Sequence, residues 1–140
     1  MIILDTNVLS ELMRPQPNEF VLQWIAKYQA SSLFITALTQ AEILYGLELL
    51  PKGKRRTALK QAARAMFDLD FAQRILDFNS DAAQQFAAIA AKRKKIGRPI
   101  SQIDAQIAAI AKSHNATLAT RNVADFTECE INIINPWNQD

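Results

Sequence analysis

The chain has 140 residues, 49% apolar and 21% charged, and its 16 Lys and Arg against 14 Asp and Glu leave a net charge of +2. That composition fits one folded domain, and the charge is too small to name a partner. A single cysteine, Cys129, and a single histidine, His114, exclude a disulfide framework and a Cys/His zinc site, while three scattered glycines exclude a Walker loop or a dinucleotide fingerprint.

Met1-Ile2-Ile3-Leu4 is a short continuous apolar run of the kind found in strands buried on both faces. It gives way at Asp5-Thr6-Asn7 to a short helix, Val8 to Met13, stopped before Pro15. Phe20, Val21, Trp24, Ile25 and Tyr28 recur at helical spacing and predict a helix from Glu19 to Tyr28. Leu33-Phe34-Ile35 predicts a second strand, followed by a helix from about Leu38 to Leu50. Pro51 and Gly53 separate that helix from a basic one, Lys54 to Phe71, and Arg74 to Phe78 predicts a third strand. Ser80 is placed to N-cap an alanine-rich helix that runs to Ile96 and stops at Gly97. A helix from Ile103 to His114 and strands at Thr117–Thr120 and Ile131–Ile134 complete the chain. Most of the apolar surface at Trp24, Tyr28, Tyr45, Leu47 and Leu50 is expected in the core. The alternation predicts an α/β fold: a mostly parallel sheet of about five strands with helices on both faces. No apolar run approaches the roughly 18 to 20 residues of a membrane span and no basic-then-apolar leader precedes the first strand, so a cytoplasmic protein without a membrane partner is expected.

In open parallel sheets ligands bind beyond the carboxyl ends of the strands. Four acids fall there. Asp5 ends the first strand, Glu42 opens the helix after the second, Asp104 opens the helix before the fourth, and Asp125 follows the fourth. Carboxylates brought together without compensation repel and resist ionisation. A hard divalent cation such as Mg²⁺ relieves that conflict, because it takes oxygen ligands, keeps several waters and binds substrate phosphate beside one or two carboxylates. The chemistry implied is hydrolysis of a phosphodiester. Each acid also has an ordinary structural role open to it. Asp5 can N-cap the following helix, Thr39-Gln40-Ala41-Glu42 has the form of a capping box, Ser101-Gln102-Ile103-Asp104 is a weaker version, and Asp125 can sit in an exposed turn. Capping leaves unexplained why the acids recur at corresponding junctions.

Asp5-Thr6-Asn7, Glu42 within Thr39-Gln40-Ala41-Glu42-Ile43-Leu44-Tyr45-Gly46, Asp104 within Ile103-Asp104-Ala105-Gln106-Ile107-Ala108-Ala109, and Thr120-Arg121-Asn122-Val123-Ala124-Asp125-Phe126 together resemble the PIN-domain ribonucleases. Their order and spacing are similar to those of the VapC toxins of bacterial toxin–antitoxin pairs, and Asn135-Pro136-Trp137 resembles the tail of one VapC subgroup. The resemblance covers essentially the whole chain and implies a single PIN-like domain over 1–140. It implies a Mg²⁺-dependent endoribonuclease, with Mn²⁺ as a substitute ion, acting as a toxin. Asp5, Glu42 and Asp104 carry over as the acidic site, with Asp5 and Asp104 as the direct metal ligands. For the fourth position Asn122 and Asp125 both qualify; Asp125 is favoured as the carboxylate and Asn122 as a neutral neighbour holding water or phosphate.

Thr6 and Thr120 offer hydroxyls that orient a carboxylate or bind water, with capping of the adjacent turn equally open to them. Asn7, Arg98 and Arg121 join them as candidate substrate contacts. Attack by water rather than by the 2′-OH implies products with 5′-phosphate and 3′-hydroxyl ends. The implied partners are the RNA substrate, an inhibitory cognate antitoxin, a second copy in a homodimer, and a toxin–antitoxin hetero-oligomer. The alternative reading is a catalytically silent PIN-like RNA-binding module. A phosphotransfer domain with Asp5 as covalent acceptor would need a lysine and further acids near the first strand, and Asp5-Thr6-Asn7 offers neither.

The small net charge hides clustering. Lys52, Lys54, Arg55, Arg56, Lys60 and Arg64 occur with no acid between Glu48 and Asp68, and Lys92, Arg93, Lys94, Lys95 and Arg98 with none between Asp81 and Asp104. The second run suits a helix C-terminus or a solvated face. The first opens its helix, where cations oppose the macrodipole, so phosphate binding explains it better. Changing Lys54, Arg55 and Arg56 together to Ala is predicted to weaken RNA binding and flatten its salt dependence, measured by filter binding over a salt series. An unchanged slope would put the cluster off the RNA path.

Overall fold

A computed structural model describes residues 1–138; the last two residues of the expected 1–140 domain lie outside the described residues. The strands are β1 (Ile2–Leu4), β2 (Leu33–Thr36), β3 (Ile75–Leu76), β4 (Thr117–Ala119) and β5 (Asn132–Ile134). They form one sheet in the order β3-β2-β1-β4-β5, and every pairing is parallel. The sheet is therefore wholly rather than mostly parallel among the described residues. Helices α1 (Thr6–Leu12) and α2 (Glu19–Ile25) carry the chain from β1 to β2, α3 (Ala37–Glu48) and α4 (Lys54–Ala65) from β2 to β3, and α5 (Ser80–Lys95) and α6 (Gln102–Ser113) from β3 to β4.

Side chains alternate across a strand, so the central strand feeds two cores. Ile3 and Leu118 pack with Ile89, Ile107, Ala108 and Ile110 beneath α5 and α6. Leu4, Ile35 and Ala119 pack on the opposite face with Val8, Leu9, Val21, Trp24 and Leu47 from the first three helices and with Phe67 just after the fourth. Buried alanines, Ala82 on one helix and Ala105, Ala108, Ala109 and Ala111 on the other, let α5 and α6 lie against each other.

The helix ends follow local chemistry. Asn79, not Ser80, caps α5: its Oδ1 accepts from the Ala82 amide at 3.0 Å, and Ser80 is the first helical residue. Asn caps as well as Ser does, and here it holds the extended backbone that the role requires. The helix closes in a Schellman turn, with Gly97 at φ 77°, the Arg98 amide on the Arg93 carbonyl and the Gly97 amide on that of Lys94. Helix α4 stops sooner than expected and passes into a wider π turn, Met66–Asp70, that buries Phe67. The apolar surface of α3 also exceeds what the sheet covers. Leu47 is buried as expected, but Tyr45 is 66% exposed, and Leu44 and Leu49 are exposed as well.

The basic runs separate into different roles. Arg56 and Lys60 both pair with Glu48, at 2.6 and 2.5 Å, and Lys92 pairs with Glu128 and Glu130. The triple change of Lys54, Arg55 and Arg56 thus removes one cation already paired to an acid, and a salt-slope change nearer about two than three phosphates is expected. Arg93 is not a surface residue at all. Only 5% exposed, its guanidinium donates to the carbonyls of Arg98 at 2.6 Å and of Asp125 and Thr127 at 2.9 Å. It bolts the turn Val123–Phe126 to the end of α5. Losing one partner of a buried hydrogen bond costs about 1–3 kcal/mol per stranded group. Arg93→Met is therefore expected to lower stability in urea unfolding by at least about 2 kcal/mol, against about 0.5 kcal/mol or less for exposed Lys94→Met on the same helix.

Candidate functional site

The strand order turns back between β1 and β4: from β1 the sheet grows outward through β2 and β3, and from β4 through β5. A parallel sheet opens a crevice at such a switch point, beyond the carboxyl ends of the strands. Leu4 is in register with Ala119, so the next residues, Asp5 and Thr120, emerge side by side, and the Asp5 amide donates to the Ala119 carbonyl at 2.9 Å.

Asp5 is buried and held by three donors. Its Oδ1 accepts from the Thr6 amide at 2.9 Å; its Oδ2 accepts from the Thr120 hydroxyl at 2.7 Å and from Asn7 Nδ2 at 3.2 Å. An ionised carboxylate has about four acceptor positions, so capping α1 does not exhaust it. Thr120 is saturated: while donating to Asp5 its Oγ1 accepts from Asn7 Nδ2 and from the Asn122 amide, at 3.2 and 3.0 Å. Burial pushes the Asp5 carboxyl above its ordinary value. The Thr120 and Thr6 donors pull against that rise, and repulsion from Asp104 and Glu42 adds to it.

Glu42 is tied to the same junction. Thr6 Oγ1 donates to Glu42 Oε1 at 2.7 Å and lies 2.9 Å from Thr39 Oγ1. A hydroxyl has one proton, so with the Thr6 proton on Glu42, Thr39 must be the donor to Thr6. The capping box at Thr39–Glu42 is not formed. Thr36, at the end of β2, caps α3 by accepting from the Thr39 amide, which frees Glu42 to turn toward α1. At α6 only the first half of the weaker box is present, Ser101 Oγ accepting from the Asp104 amide at 3.2 Å. Burial pushes the half-buried Asp104 carboxyl up; Asp125 and Glu42 add repulsion, while the Ser101 hydroxyl and the Arg93 charge oppose it.

Asp5, Thr6, Asn7, Glu42, Thr120, Arg121 and Asn122 share one connected hydrogen-bond network, Arg121 through its amide on Asn7 Oδ1 at 3.1 Å. Asp104 and Asp125 join it through repulsion alone. Asp125 and Asn122 are both exposed on the turn after β4. Arg98 is exposed, and its described hydrogen bonds are backbone ones to Arg93. Among the described residues no three acidic, histidine or cysteine side chains form a ready cation cage, and none of the four acids makes an ion pair. Oxygen donors that form no ion pair, two of them (Asp5 and Asp104) with carboxyls pushed up by burial, fit a hard divalent cation that keeps waters around it.

The PIN domain family matches residues 2–128. The chain belongs to the PIN-domain family, in its VapC branch. It is 39% identical to the VapC ribonuclease Y4jK of Sinorhizobium fredii over 98% of both chains, and 39% identical to toxin FitB of Neisseria gonorrhoeae over 99% of both. The solved structure of FitAB bound to the IR36 DNA fragment superposes with a TM-score of 0.94 at 38% identity, covering 100% of this chain and 98% of that one.

Three residues of this PIN chain were not legible as site components. Thr39 has the form of a cap in the sequence, and only the position of Thr36 one turn earlier hints that it is free for another role. Arg93 was hidden in a surface-like basic run. Trp137 stood out only as part of a C-terminal motif, yet its ring lies under the Arg121 guanidinium, 5.0 Å from centroid to Cζ.

The raised pKa of Asp104 has a direct consequence for stability. With the folded value above the ordinary 3.8, the folded chain holds the proton more tightly, so its ionisation destabilises the fold as pH rises through the raised value. In chelator at neutral pH, Asp104→Asn is expected to melt at a higher temperature than the parent. The difference should vanish below the ordinary value of 3.8, where Asp104 is protonated in the folded and the unfolded parent alike.

Proposed function

We propose that this chain is an endoribonuclease that hydrolyses RNA phosphodiesters with Mg²⁺ held by Asp5 and Asp104, and that it serves as the toxin of a cytoplasmic toxin–antitoxin pair. The observation that carries this reading is the meeting, at the switch point, of carboxylates from the end of β1, from α3 and from α6 that repel one another and form no ion pair among the described residues. The ribonuclease and toxin names of Y4jK and FitB support it. When bound, Mg²⁺ would neutralise charge on the scissile phosphate and make water a stronger nucleophile.

The protein's own contribution is orientation. Thr120 and Asn7 fix the Asp5 carboxylate, Thr6 with Thr39 fixes Glu42, and Ser101 starts the helix that carries Asp104. Glu42 and Asp125 complete the negative surface and can accept a proton from attacking water; Asn122, Arg121 and Arg98 are the proposed phosphate and water contacts. On the partner side, FitAB is a complex on DNA, and we extend the pairing to a cognate antitoxin here. Exposed Leu44 beside a cavity of about 480 Å³ between α3 and α4, with Tyr45 exposed on the same helix as Glu42 and Leu49 exposed just past its end, provides apolar surface for a protein partner.

The test uses purified chain freed of any partner, end-labelled RNA, Mg²⁺ and chelator. Cleavage should vanish in chelator and in Asp5→Asn and Asp104→Asn, and Thr120→Val should slow it about 10- to 100-fold, as expected for a group that orients a ligand. Products should carry 5′-phosphate and 3′-hydroxyl ends. A 2′,3′-cyclic phosphate would overturn the mechanism, and RNA binding without cleavage would identify a silent binding module instead.

A further inference from the structure

The contact between Arg121 and Trp137 joins the C-terminal segment to the edge of the site. A guanidinium 5.0 Å from an indole centroid lies within cation–π range. Both partners are anchored. The Arg121 amide is tied to Asn7, which also holds Asp5 and Thr120. Trp137 donates its amide to Asn135 Oδ1 at 2.9 Å, follows buried Pro136, and is half-buried against the core on the Leu4 face of the sheet.

The nearby acid does not compete for Arg121. Glu11, nearly buried on α1, accepts from the Asn18 amide at 2.9 Å and from Arg14. Those two, with Arg121 a weaker influence, hold its carboxyl below the ordinary range. Among the described residues Arg121 forms no ion pair. An exposed arginine ordinarily loses rotamer freedom when it grips a phosphate. Contact with a ring restricts that freedom beforehand while leaving the planar N–H fork available for phosphate.

We propose that Trp137 is a positioning residue: its indole holds the Arg121 guanidinium at the rim of the carboxylate site to receive an RNA backbone phosphate. This rests on the nuclease reading above. The competing role for the same ring is to stack on a base directly.

The test measures binding of a short mixed-sequence single-stranded RNA to the Asp5→Asn chain, across salt, in four forms: otherwise unchanged, Arg121→Ala, Trp137→Leu, and both. Arg121→Ala should weaken binding and reduce the salt slope by about one. Trp137→Leu, which keeps apolar bulk without a π face, should weaken binding about two- to fivefold. In the Arg121→Ala background it should have no further effect. An equal loss in that background would assign the ring to base stacking or to the fold, and no loss in either would also overturn the proposal. Should Trp137→Leu not fold, Trp137→Phe and Trp137→Met carry the same comparison, since affinity must then follow the π face only while Arg121 is present. If the parent chain binds and cleaves RNA and the Trp137 variants match it, this inference falls and the nuclease reading stands. If the parent neither binds nor cleaves RNA, both fall.

Discussion

Burial of carboxylates, with mutual repulsion added to it, governs the edge of the sheet where the strands end. Asp5 is buried within the fields of Asp104 and Glu42, and Asp104 is half-buried within those of Glu42 and Asp125. Separate elements hold these groups there, so relief by moving one of them would require moving a strand or a helix. The two cores on either face of β1 supply the resistance. Such a frame is suited to take up positive charge from outside, because binding a cation converts the internal repulsion into attraction.

The polar side chains around the acids divide into two groups. Thr6, Thr39, Thr120 and Asn7 turn inward and fix the orientation of Asp5 and Glu42 through hydrogen bonds from the first turns of α1 and α3 and from the end of β4. Arg121 and Asn122 enter the network only through their backbone amides, which leaves their side chains to face what approaches. Parallel pairing makes that division possible. Every strand delivers its carboxyl end to the same edge, and the threonine that follows the short β4 stands next to the aspartate that follows β1.

Basic residues illustrate how position overrides type. Within one helix Lys92 pairs with glutamates at the surface, while Arg93 is buried and holds three carbonyls beside the Asp125 turn. A guanidinium can satisfy several acceptors in a plane, which a lysine ammonium at the same place could not. Arg56 and Lys60 converge on Glu48 and lend α3 and α4 a shared polar seam.

The elements, their order and the α/β class were readable from the chain because local signals agree: apolar runs of strand length, helical spacing of larger apolar residues, and Gly97 where a left-handed turn is needed. The candidate acids were readable for the same reason, since each stands at a junction between such elements. Local patterns do not carry the strand order or the partner of a hydroxyl, which depend on residues more than a hundred positions apart, as between Asp5 and Thr120. Nor do they say which arginine of a basic run is buried, or that Trp137 meets Arg121, because burial and stacking are set by what the rest of the fold brings alongside. The order of residues determines the repertoire of charged and polar groups; packing the sheet decides which of them meet, since only the folded chain brings distant residues within hydrogen-bonding reach.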